Sequence, residues 1–495
     1  MSHADTVERS PAESSAFAIW GFALALATLG TAILWKAPIG INWGVWIACD
    51  VVALFAVMRE RFGAVGAPSF AACAWAVTLA FGAAVTTDDR RIALLVLGTI
   101  GLMALALATA GQKSTEVLQP GTVLWAPFTA LVLVISGVST ETRSSARGAR
   151  APGFASIARS VLITLPLVAA LIFLLAEADP LFAAMRDSLE HIVPDDFISK
   201  TLFFGLILAV TLGSFGGVLR GLTPEISASK AIGPTIGSVE RRVLLTALAT
   251  IMWLFVTSAG ISLLKNPAAL AGSGITYAEY VHRGFAELSL SATLVIGVVL
   301  VTRRSWVSTD AWARWLAFAA ITGEGGMIAV AFMRVVRYEQ AYGFTVLRLY
   351  AQAYMIVLAC MSALLLAEIV RRAQSSRFAF HSANAALLVL ASCVFWNTDA
   401  WIVRHNVDRY ARTGKIDIEY LTHDLSADAT PELIASLPRL EPRERAAVTG
   451  WLCDANTRNK HRDPRWFAWN LRASREAAAR RDWYRETQSN CTPPA

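Results

Sequence analysis

The sequence predicts an all-α membrane protein, a polytopic bundle of about 12 transmembrane helices followed by a small helical C-terminal tail. Composition is the first observation: 55% of the 495 residues are hydrophobic and only 16% are charged, against roughly 25% charged in an average soluble domain. Charge distribution is the second, since residues 397–495 hold 30 of the 81 Asp, Glu, Lys and Arg residues and the first 396 hold 51. Both observations exclude a disordered chain and an ordinary soluble enzyme.

Runs of apolar residues define the individual spans. A helix that crosses the hydrocarbon core needs about 20 mostly apolar residues. The predicted spans are residues 16–35, 39–58, 67–85, 92–111, 123–138, 161–176, 201–219, 243–264, 285–301, 315–333, 349–370 and 378–396. The fifth and sixth are short, and a re-entrant segment there would change the parity of the count. The predicted organisation is an N-terminal segment (1–15), the bundle (16–396) and the soluble tail (397–495).

Lysine and arginine in the loops predict the orientation. On the side of the N-terminus the loops carry 11 Lys and Arg with 13 acids, and on the other side they carry 17 with 6 acids. Because basic loops stay in the cytoplasm, both termini are expected outside, which is the periplasm if the source is Gram-negative. We therefore expect a multi-pass protein of a bacterial inner (plasma) membrane. Its net charge of +7 reflects topology, so the lipid bilayer is the expected partner and nucleic acid is not.

Motifs of soluble catalytic machinery are absent from the sequence. It contains no G-x-x-x-x-G-K-[ST], G-x-G-x-x-G, H-E-x-x-H, C-x-x-C or G-x-S-x-G, so we predict no cofactor and no metal. Transport driven by ATP on this chain alone is also disfavoured. Catalysis stays open, although the sequence leans against it, because membrane enzymes can use single acids or histidines at the membrane face.

Two cysteines lie outside the predicted spans. Cys453 and Cys491 are both in the tail, and an exported segment favours a disulfide between them. Two unpaired thiols are the alternative.

Acidic residues inside the spans are functional candidates, because a charge at bilayer depth costs a few kcal/mol. Asp50 and Glu324 are the deep ones, whereas Glu368 is interpreted as a local ion pair with Arg371 and Arg372. Glu324 is flanked by glycines in the run Thr-Gly-Glu-Gly-Gly from residue 322. Either the glycines break the helix and expose a binding site, or they permit close helix packing around a protonated, hydrogen-bonded Glu324. The pair Gly213 and Gly217 is typical of a tight helix contact.

Three clusters rich in Arg, acids and Tyr share one predicted membrane side. They lie at residues 277–288, 334–348 and 397–410, and the candidate binding residues in and near them are Glu279, Arg283, Glu287, Glu324, Arg334, Arg337, Tyr342, Arg348, Asn397, Asp399, Arg404 and Asn406. One interpretation is a pocket for a small solute or lipid, on which Arg283, Arg337, Arg348 and Asp399 converge. The other is a set of ion pairs and tyrosine hydrogen bonds that cap helices and dock the tail.

These clusters resemble a known bacterial group. The stretches Y-A-E-Y-x-x-R-G-F-x-E-L, R-x-x-x-Y-x-x-x-Y-G-x-T-x-x-R and N-x-D-x-x-I-x-x-x-N-x-x-R-Y, over roughly residues 240–440, are similar to multi-pass membrane proteins of the domain of unknown function 4173 family, close to the 4153 family. Phe344 departs from the pattern, as does Thr398, where a proline is frequent. The resemblance implies a polytopic inner-membrane protein and no particular activity.

The sequence leaves three functions open. A transporter or permease-like protein would use Glu324 and Asp50 inside and the three clusters as an outer vestibule. A membrane enzyme on a lipid-linked substrate would use Glu279, Glu287 or Asp399 as acid or base. A sensor or assembly factor would engage an unknown protein partner through the tail, in which short helices are expected from Thr430-Pro431, Glu441-Pro442 and Asp463-Pro464.

Overall fold

Every regular element that the computed structural model describes is helical, as the composition predicts. The structure describes residues 11–115, 120–148, 196–222, 237–264, 285–303, 310–372, 377–453 and 465–487, and no strand occurs among them. Nine helices in this part of the chain are long and apolar enough to cross a membrane, and the shorter apolar helices Ala18–Leu34 and Glu287–Thr302 match the predicted first and ninth spans. The predicted sixth span (161–176) lies outside the described residues. The all-α, multi-pass architecture is therefore confirmed.

The helices form two compact units, and the tail contributes to both. Unit 1 consists of Met1–Ser227 with His461–Leu471, and unit 2 consists of Ala228–Lys460 with Arg472–Ala495. The predicted division into bundle and tail after residue 396 stays a prediction, since the compact units divide the chain elsewhere.

Unit 1 is built from helices whose ends follow local rules. In its described part these are α1 (Pro11–Leu34), α2 (Ile41–Phe62), α3 (Ala67–Gly82), α4 (Asp89–Ala108), α5 (Pro120–Gly148) and α6 (Phe197–Leu219). At the start of α4 the Asp88 carboxylate accepts hydrogen bonds from two backbone amides, which satisfies donors that a helix leaves unpaired. Helix α2 ends at Gly63 in the left-handed region, where glycine lacks the steric penalty of a side chain.

Close glycine packing joins α5 to α6. A Cβ at Gly137 would overlap the carbonyl oxygen of Gly213, and one at Gly217 would lie 2.8 Å from the carbonyl oxygen of Leu133. The backbones can approach this closely only because these positions lack side chains. The helix contact predicted from Gly213 and Gly217 is therefore confirmed.

Contacts at the helix ends of unit 1 bear on the predicted span count. Lys36, after α1, forms an ion pair with Asp196, before α6, and α1 packs antiparallel to α6, with Trp35 against Phe203. Residues at one membrane face are separated by an even number of crossings. Five predicted spans, the second to the sixth, separate Lys36 from Asp196, so twelve single crossings would place them on opposite faces. Part of the chain between them, including the predicted sixth span, lies outside the described residues, so the count of twelve spans stays a prediction.

The tail binds the same end of unit 1. The Trp469 carbonyl accepts a hydrogen bond from the Ile41 amide at 3.0 Å, and the Asn470 side chain donates to the carbonyls of Ala83 and Thr86 at 3.0 and 2.8 Å. Helix α1, which is 24 residues long, begins at the other end. Because a helix that crosses once puts its two ends on opposite faces, these contacts favour opposite membrane sides for the N-terminus and the tail. The location of both termini outside stays a prediction.

Unit 2 holds the remaining helices. Its described membrane helices are α7 (Ser238–Leu264), α8 (Phe285–Arg303), α9 (Ala311–Tyr342), α10 (Val346–Val370) and α11 (Phe378–Phe395). The tail helices are α12 (Thr398–Thr413), α13 (Thr430–Ser436), α14 (Pro442–Cys453) and α15 (Leu471–Glu486), with a π-helical turn at Tyr420–Asp424. The starts predicted at Thr430 and Pro442 are confirmed. The last helix begins at Leu471, later than predicted, because residues 465–470 are bound to unit 1 instead.

Helix α9 is unbroken at its glycines. It runs continuously from Ala311 to Tyr342. A Cβ at Gly323 would lie 2.9 Å from Cβ of Met252, and one at Gly326 would lie 3.0 Å from Val256 on the parallel helix α7. The broken-helix hypothesis is therefore wrong, and the glycines serve close packing.

An ion cluster joins the start of α9 to α7, at the end of these helices opposite the α9–α10 connection. Asp310 caps α9 by accepting from the Ala313 amide at 3.1 Å, and its other oxygen accepts from Arg242 at 3.0 Å and Arg241 at 3.4 Å. The Arg242 hydrogen bond lowers the pKa of Asp310 to about 2. Its stabilising contribution is thus present above the unfolded pKa near 4 and is lost as the pH falls towards 2.

Candidate functional site

The candidate residues that the structure describes separate into two places in unit 2. Glu324 lies in the middle of α9, and the residues of the second and third clusters surround the short connection between α9 and α10. Glu279 and Arg283 lie outside the described residues, and Glu287 is exposed near the start of α8.

Glu324 is a fully buried carboxyl on a membrane helix. Its side chain is 0% exposed, and its Oε2 lies 2.6 Å from the hydroxyl of Ser362 on α10. Its Oε1 has no hydrogen-bond partner among the described residues. A buried polar atom without a partner is rare enough in folded proteins to be a functional candidate.

The Ser362 hydroxyl lies between Glu324 and a backbone carbonyl of its own helix. The Ser362 Oγ lies 2.9 Å from the carbonyl oxygen of Leu358 as well as 2.6 Å from the carboxyl. A serine hydroxyl has a single hydrogen to donate. Either Ser362 shares this hydrogen between the carboxylate and the Leu358 carbonyl, or a protonated Glu324 donates to Ser362, which then donates fully to Leu358.

A second buried carboxyl lies nearer the tail on the same two helices. Glu339 is buried, its Oε2 accepts from Gln352 at 2.7 Å, and its Oε1 has no partner in the described part of the chain. Sequence analysis did not select Glu339, Gln352 or Ser362. Gln352 follows Arg348 by four residues, and that helical spacing was the available signal.

Arg348, at the start of α10, contacts the α9–α10 connection and the end of α9. Its guanidinium donates to the Gly343 carbonyl and lies 4.4 Å from the centre of the Tyr338 ring, a cation–π geometry. Tyr338 in turn packs against Tyr342, with ring centres 4.6 Å apart. On the same stretch of α9, Arg334 is half-buried and Arg337 is exposed.

Asn406 and Arg409 of the tail form hydrogen bonds with the connection between α9 and α10. The Asn406 side chain accepts from the amide of Phe344 and donates to its carbonyl, both at 2.9 Å. Arg409 donates to the carbonyls of Gln340, Ala341 and Lys415. Orphan carbonyls at the end of α9 are thereby satisfied, so Asn406 docks the tail.

Asn397 and Asp399 organise the start of the tail. Asn397 caps α12 by accepting from the Ala400 amide at 3.1 Å and donates to the Asp428 carbonyl at 3.0 Å. The buried Asp399 accepts from the Ser426 amide at 3.1 Å and from Thr398 at 3.3 Å. These contacts fold the chain after the last span onto itself.

Arg404 lies on the outer surface of α12. Its guanidinium makes a two-pronged contact with Glu432 at 3.0 and 2.8 Å, although 57% of the Arg404 side chain is exposed. The pair joins two helices of the tail and leaves the guanidinium directed at a carboxylate of the same chain.

Arg348 and Asp399 share Tyr420 as a neighbour. The Tyr420 hydroxyl accepts from the Val346 amide at 2.8 Å. Burial raises the pKa of Tyr420, as does the charge of Asp399, while the charge of Arg348 lowers it. Arg348 and Asp399 thus both lie near Tyr420 and are each bonded to other groups of the chain. Arg283 lies outside the described residues, so the predicted convergence stays a prediction.

The remaining candidates have separate surroundings. Asp50 is half-buried on α2 of unit 1, and Glu368 is half-buried near the end of α10. Cys453 is disulfide-bonded, whereas Cys49, Cys73, Cys360 and Cys393 are not in disulfides. Because Cys491 lies outside the described residues, the pairing of Cys453 with Cys491 stays a prediction.

Comparison with known proteins gave one match. The family model described as Domain of unknown function (DUF4153) matches residues 70–436. That is the neighbour of the 4173 family suggested by the three clusters, and the resemblance to the 4173 family itself stays a prediction. No curated protein and no solved structure matched the chain.

Proposed function

The chain belongs to the DUF4153 family of multi-pass membrane proteins, and from that premise we propose that it is a proton-coupled transport protein. In this proposal the Glu324 carboxyl takes up and releases the proton. The observation that carries the proposal is the burial of Glu324 in a membrane helix with one oxygen bonded to Ser362 and the other without a partner.

The free-energy cost of ionising Glu324 links its protonation state to the packing of α9 against α10. An ionised carboxylate at bilayer depth costs several kcal/mol unless water, a cation or a donor reaches it. In the protonated state the contacts with Ser362 and Leu358 are satisfied together. Deprotonation therefore favours a state in which α9 and α10 separate enough to admit water or a positively charged group. Coupling of protonation to opening is the physical basis of proton-driven transport.

Geometry in the tail favours transport over the enzyme hypothesis. Asp399, one proposed acid or base, is buried and accepts from Ser426 and Thr398. A carboxylate whose oxygens are engaged by donors of its own chain serves packing and is not directed at a substrate.

The test combines a chemical probe with a matched set of variants. Dicyclohexylcarbodiimide, which is apolar, reacts with protonated carboxyls and leaves a stable N-acylurea on the side chain. We expect mass spectrometry to find the adduct on Glu324 in native membranes, with labelling that decreases as the pH rises. Glu324→Gln should accumulate normally, because glutamine can still donate to Ser362, and should lose the phenotype that the wild-type gene restores to a deletion strain.

Two controls separate transport from packing. Glu368→Gln should retain the phenotype, and Glu324→Asp should retain part of it. A Glu324 that is unlabelled at every pH, together with a fully functional Glu324→Gln, would show that this carboxyl only packs the two helices.

We also propose that the membrane is a bacterial inner membrane, with the tail outside and the N-terminus in the cytoplasm. Within each unit, contacts with the tail indicate which helix ends lie on the same membrane side as the tail. On that side the described loops and helix ends carry seven basic residues: Lys36, Arg90, Arg91, Lys200, Arg334, Arg337 and Arg348. At the opposite ends there are eleven: Arg59, Arg61, Lys113, Arg220, Arg241, Arg242, Arg303, Arg314, Arg371, Arg372 and Arg377. The more basic side belongs in the cytoplasm.

A further inference from the structure

A short aromatic segment of the tail lies at the helix ends of unit 1. Residues 465–470 read Arg-Trp-Phe-Ala-Trp-Asn, and Trp466–Ala468 form a single 3₁₀ turn.

Backbone contacts set the depth of this segment. Its Trp469 carbonyl binds the amide of Ile41, the first residue of the candidate span Ile41–Phe62. Asn470 binds the carbonyls of Ala83 and Thr86, at the end of the candidate span Ala67–Val85. Arg465 donates to the Lys36 carbonyl at 2.6 Å, just after α1. The segment is therefore held where helices leave the hydrocarbon core.

The approach to α2 is tight enough to require glycine. A Cβ at Gly40 would lie 2.7 Å from the Trp469 carbonyl oxygen. With the backbone anchored in this way, the aromatic side chains cannot withdraw into a core elsewhere.

Two large side chains on this segment are exposed. Trp466 is 77% exposed and Trp469 is 45% exposed, while Ala468 between them is buried. Arg465 lies 5.4 Å from the centre of the Phe467 ring. A cation beside exposed tryptophans is the composition that favours the headgroup region of a bilayer, where an indole has both apolar and polar surroundings.

We propose that residues 465–470 form a lipid-binding anchor, in which Trp466 and Trp469 insert into the headgroup region of the surrounding bilayer. The occupant of this surface is phospholipid, because the anchor is continuous with the ends of lipid-exposed spans. This proposal does not depend on transport through Glu324. It makes part of the tail an interfacial element that fixes the tail against the membrane.

Brominated lipids test the insertion. The full-length protein is reconstituted into vesicles of phosphatidylcholine with or without bromine at carbons 6 and 7 of one acyl chain. The emission of Trp466 is obtained as the difference between wild type and Trp466→Phe. We expect bromine to remove roughly half or more of that difference signal, and aqueous iodide to leave it nearly unchanged.

Trp451 provides the matched control on the tail. Its ring packs against Arg480, 5.0 Å from the ring centre, within the helical part of unit 2. The difference signal of Trp451→Phe should be insensitive to brominated lipid. Trp469→Phe gives a second reading of the anchor if Trp466→Phe does not accumulate.

Either of two outcomes would overturn the proposal. Quenching of Trp466 by iodide and not by brominated lipid would place the segment in water. Insensitivity to both quenchers would mean that protein covers it.

Discussion

Individual side chains in the tail divide into those that bind backbone and those that bind one another on the surface. Asn406 pairs with both the amide and the carbonyl of Phe344 and is buried. Arg404 pairs with Glu432 while more than half of it is exposed. Both were candidate binding residues, and both lie in the third cluster, at residues 397–410. The surroundings decide their energetic weight, because water competes for exposed ion pairs and cannot replace a buried amide pair.

Tail docking should therefore depend on Asn406 far more than on Arg404. Asn406→Ala leaves the amide and carbonyl of Phe344 without partners, which costs about 1–3 kcal/mol. Cleavage of the tail by a protease at low concentration should rise roughly 5- to 150-fold. Arg404→Ala should change the rate only a few-fold, since water competes for an exposed ion pair. Equal rates for the two variants would contradict this assignment.

Helix contacts in both units depend on glycines that allow backbones to touch. In unit 1 the contact is between α5 and α6, and in unit 2 it is between α7 and α9. In each case the helix stays continuous. Glycine lowers its intrinsic stability but allows the neighbouring backbone to pack closely. The Glu324 region shows the consequence: the glycines around it bring α7 close on one face, while Ser362 of α10 bonds the carboxyl on another.

One substitution on each of two helices tests the role of glycine. Gly137→Ala would place a Cβ into the backbone of α6, and overpacking of this kind costs about 1–3 kcal/mol. We expect a lower melting temperature in detergent and less protein in the membrane. Gly205→Ala on α6, where a Cβ meets nothing within 4 Å, should be neutral or slightly stabilising. Similar losses from both variants would remove packing as the explanation.

At the scale of the whole chain, a few contacts between distant residues set the topology. The pair of Lys36 with Asp196 and the hydrogen bond of Ile41 with Trp469 place three separate parts of the sequence at one end of unit 1. Both contacts favour an even number of crossings between the residues that they join, where twelve spans predict an odd number. On the proposed topology the N-terminus and the tail lie on opposite sides.

Reporter fusions at both termini measure this parity. Alkaline phosphatase after residue 495 should be active and a fluorescent protein there should be dark, since the tail is proposed to be outside. A fluorescent protein before residue 1 should be bright, and a fusion after Arg372 should behave like the N-terminal one. Identical results at the two termini would restore an even number of spans.

The sequence by itself determined the elements of this protein. Eleven of the twelve predicted spans coincide with apolar helices in the described residues, because the bilayer imposes a length and a composition that local hydropathy records. The contact of α6 through Gly213 and Gly217 could also be predicted from the sequence, because small residues four positions apart lie on one face of a helix. Buried Glu324 was found because an acid inside an apolar run is rare.

Only the tertiary structure decided what those elements do to one another. No local pattern links Glu324 to Ser362, or Lys36 to Asp196, because each pair is joined by chain that must first fold. Several conspicuous residues, among them Asn397, Asp399 and Asn406, proved to bond their own chain, which a motif cannot distinguish from ligand binding. Hydropathy depends on residues near in sequence, whereas parity, partners and docking depend on residues that are near only in space.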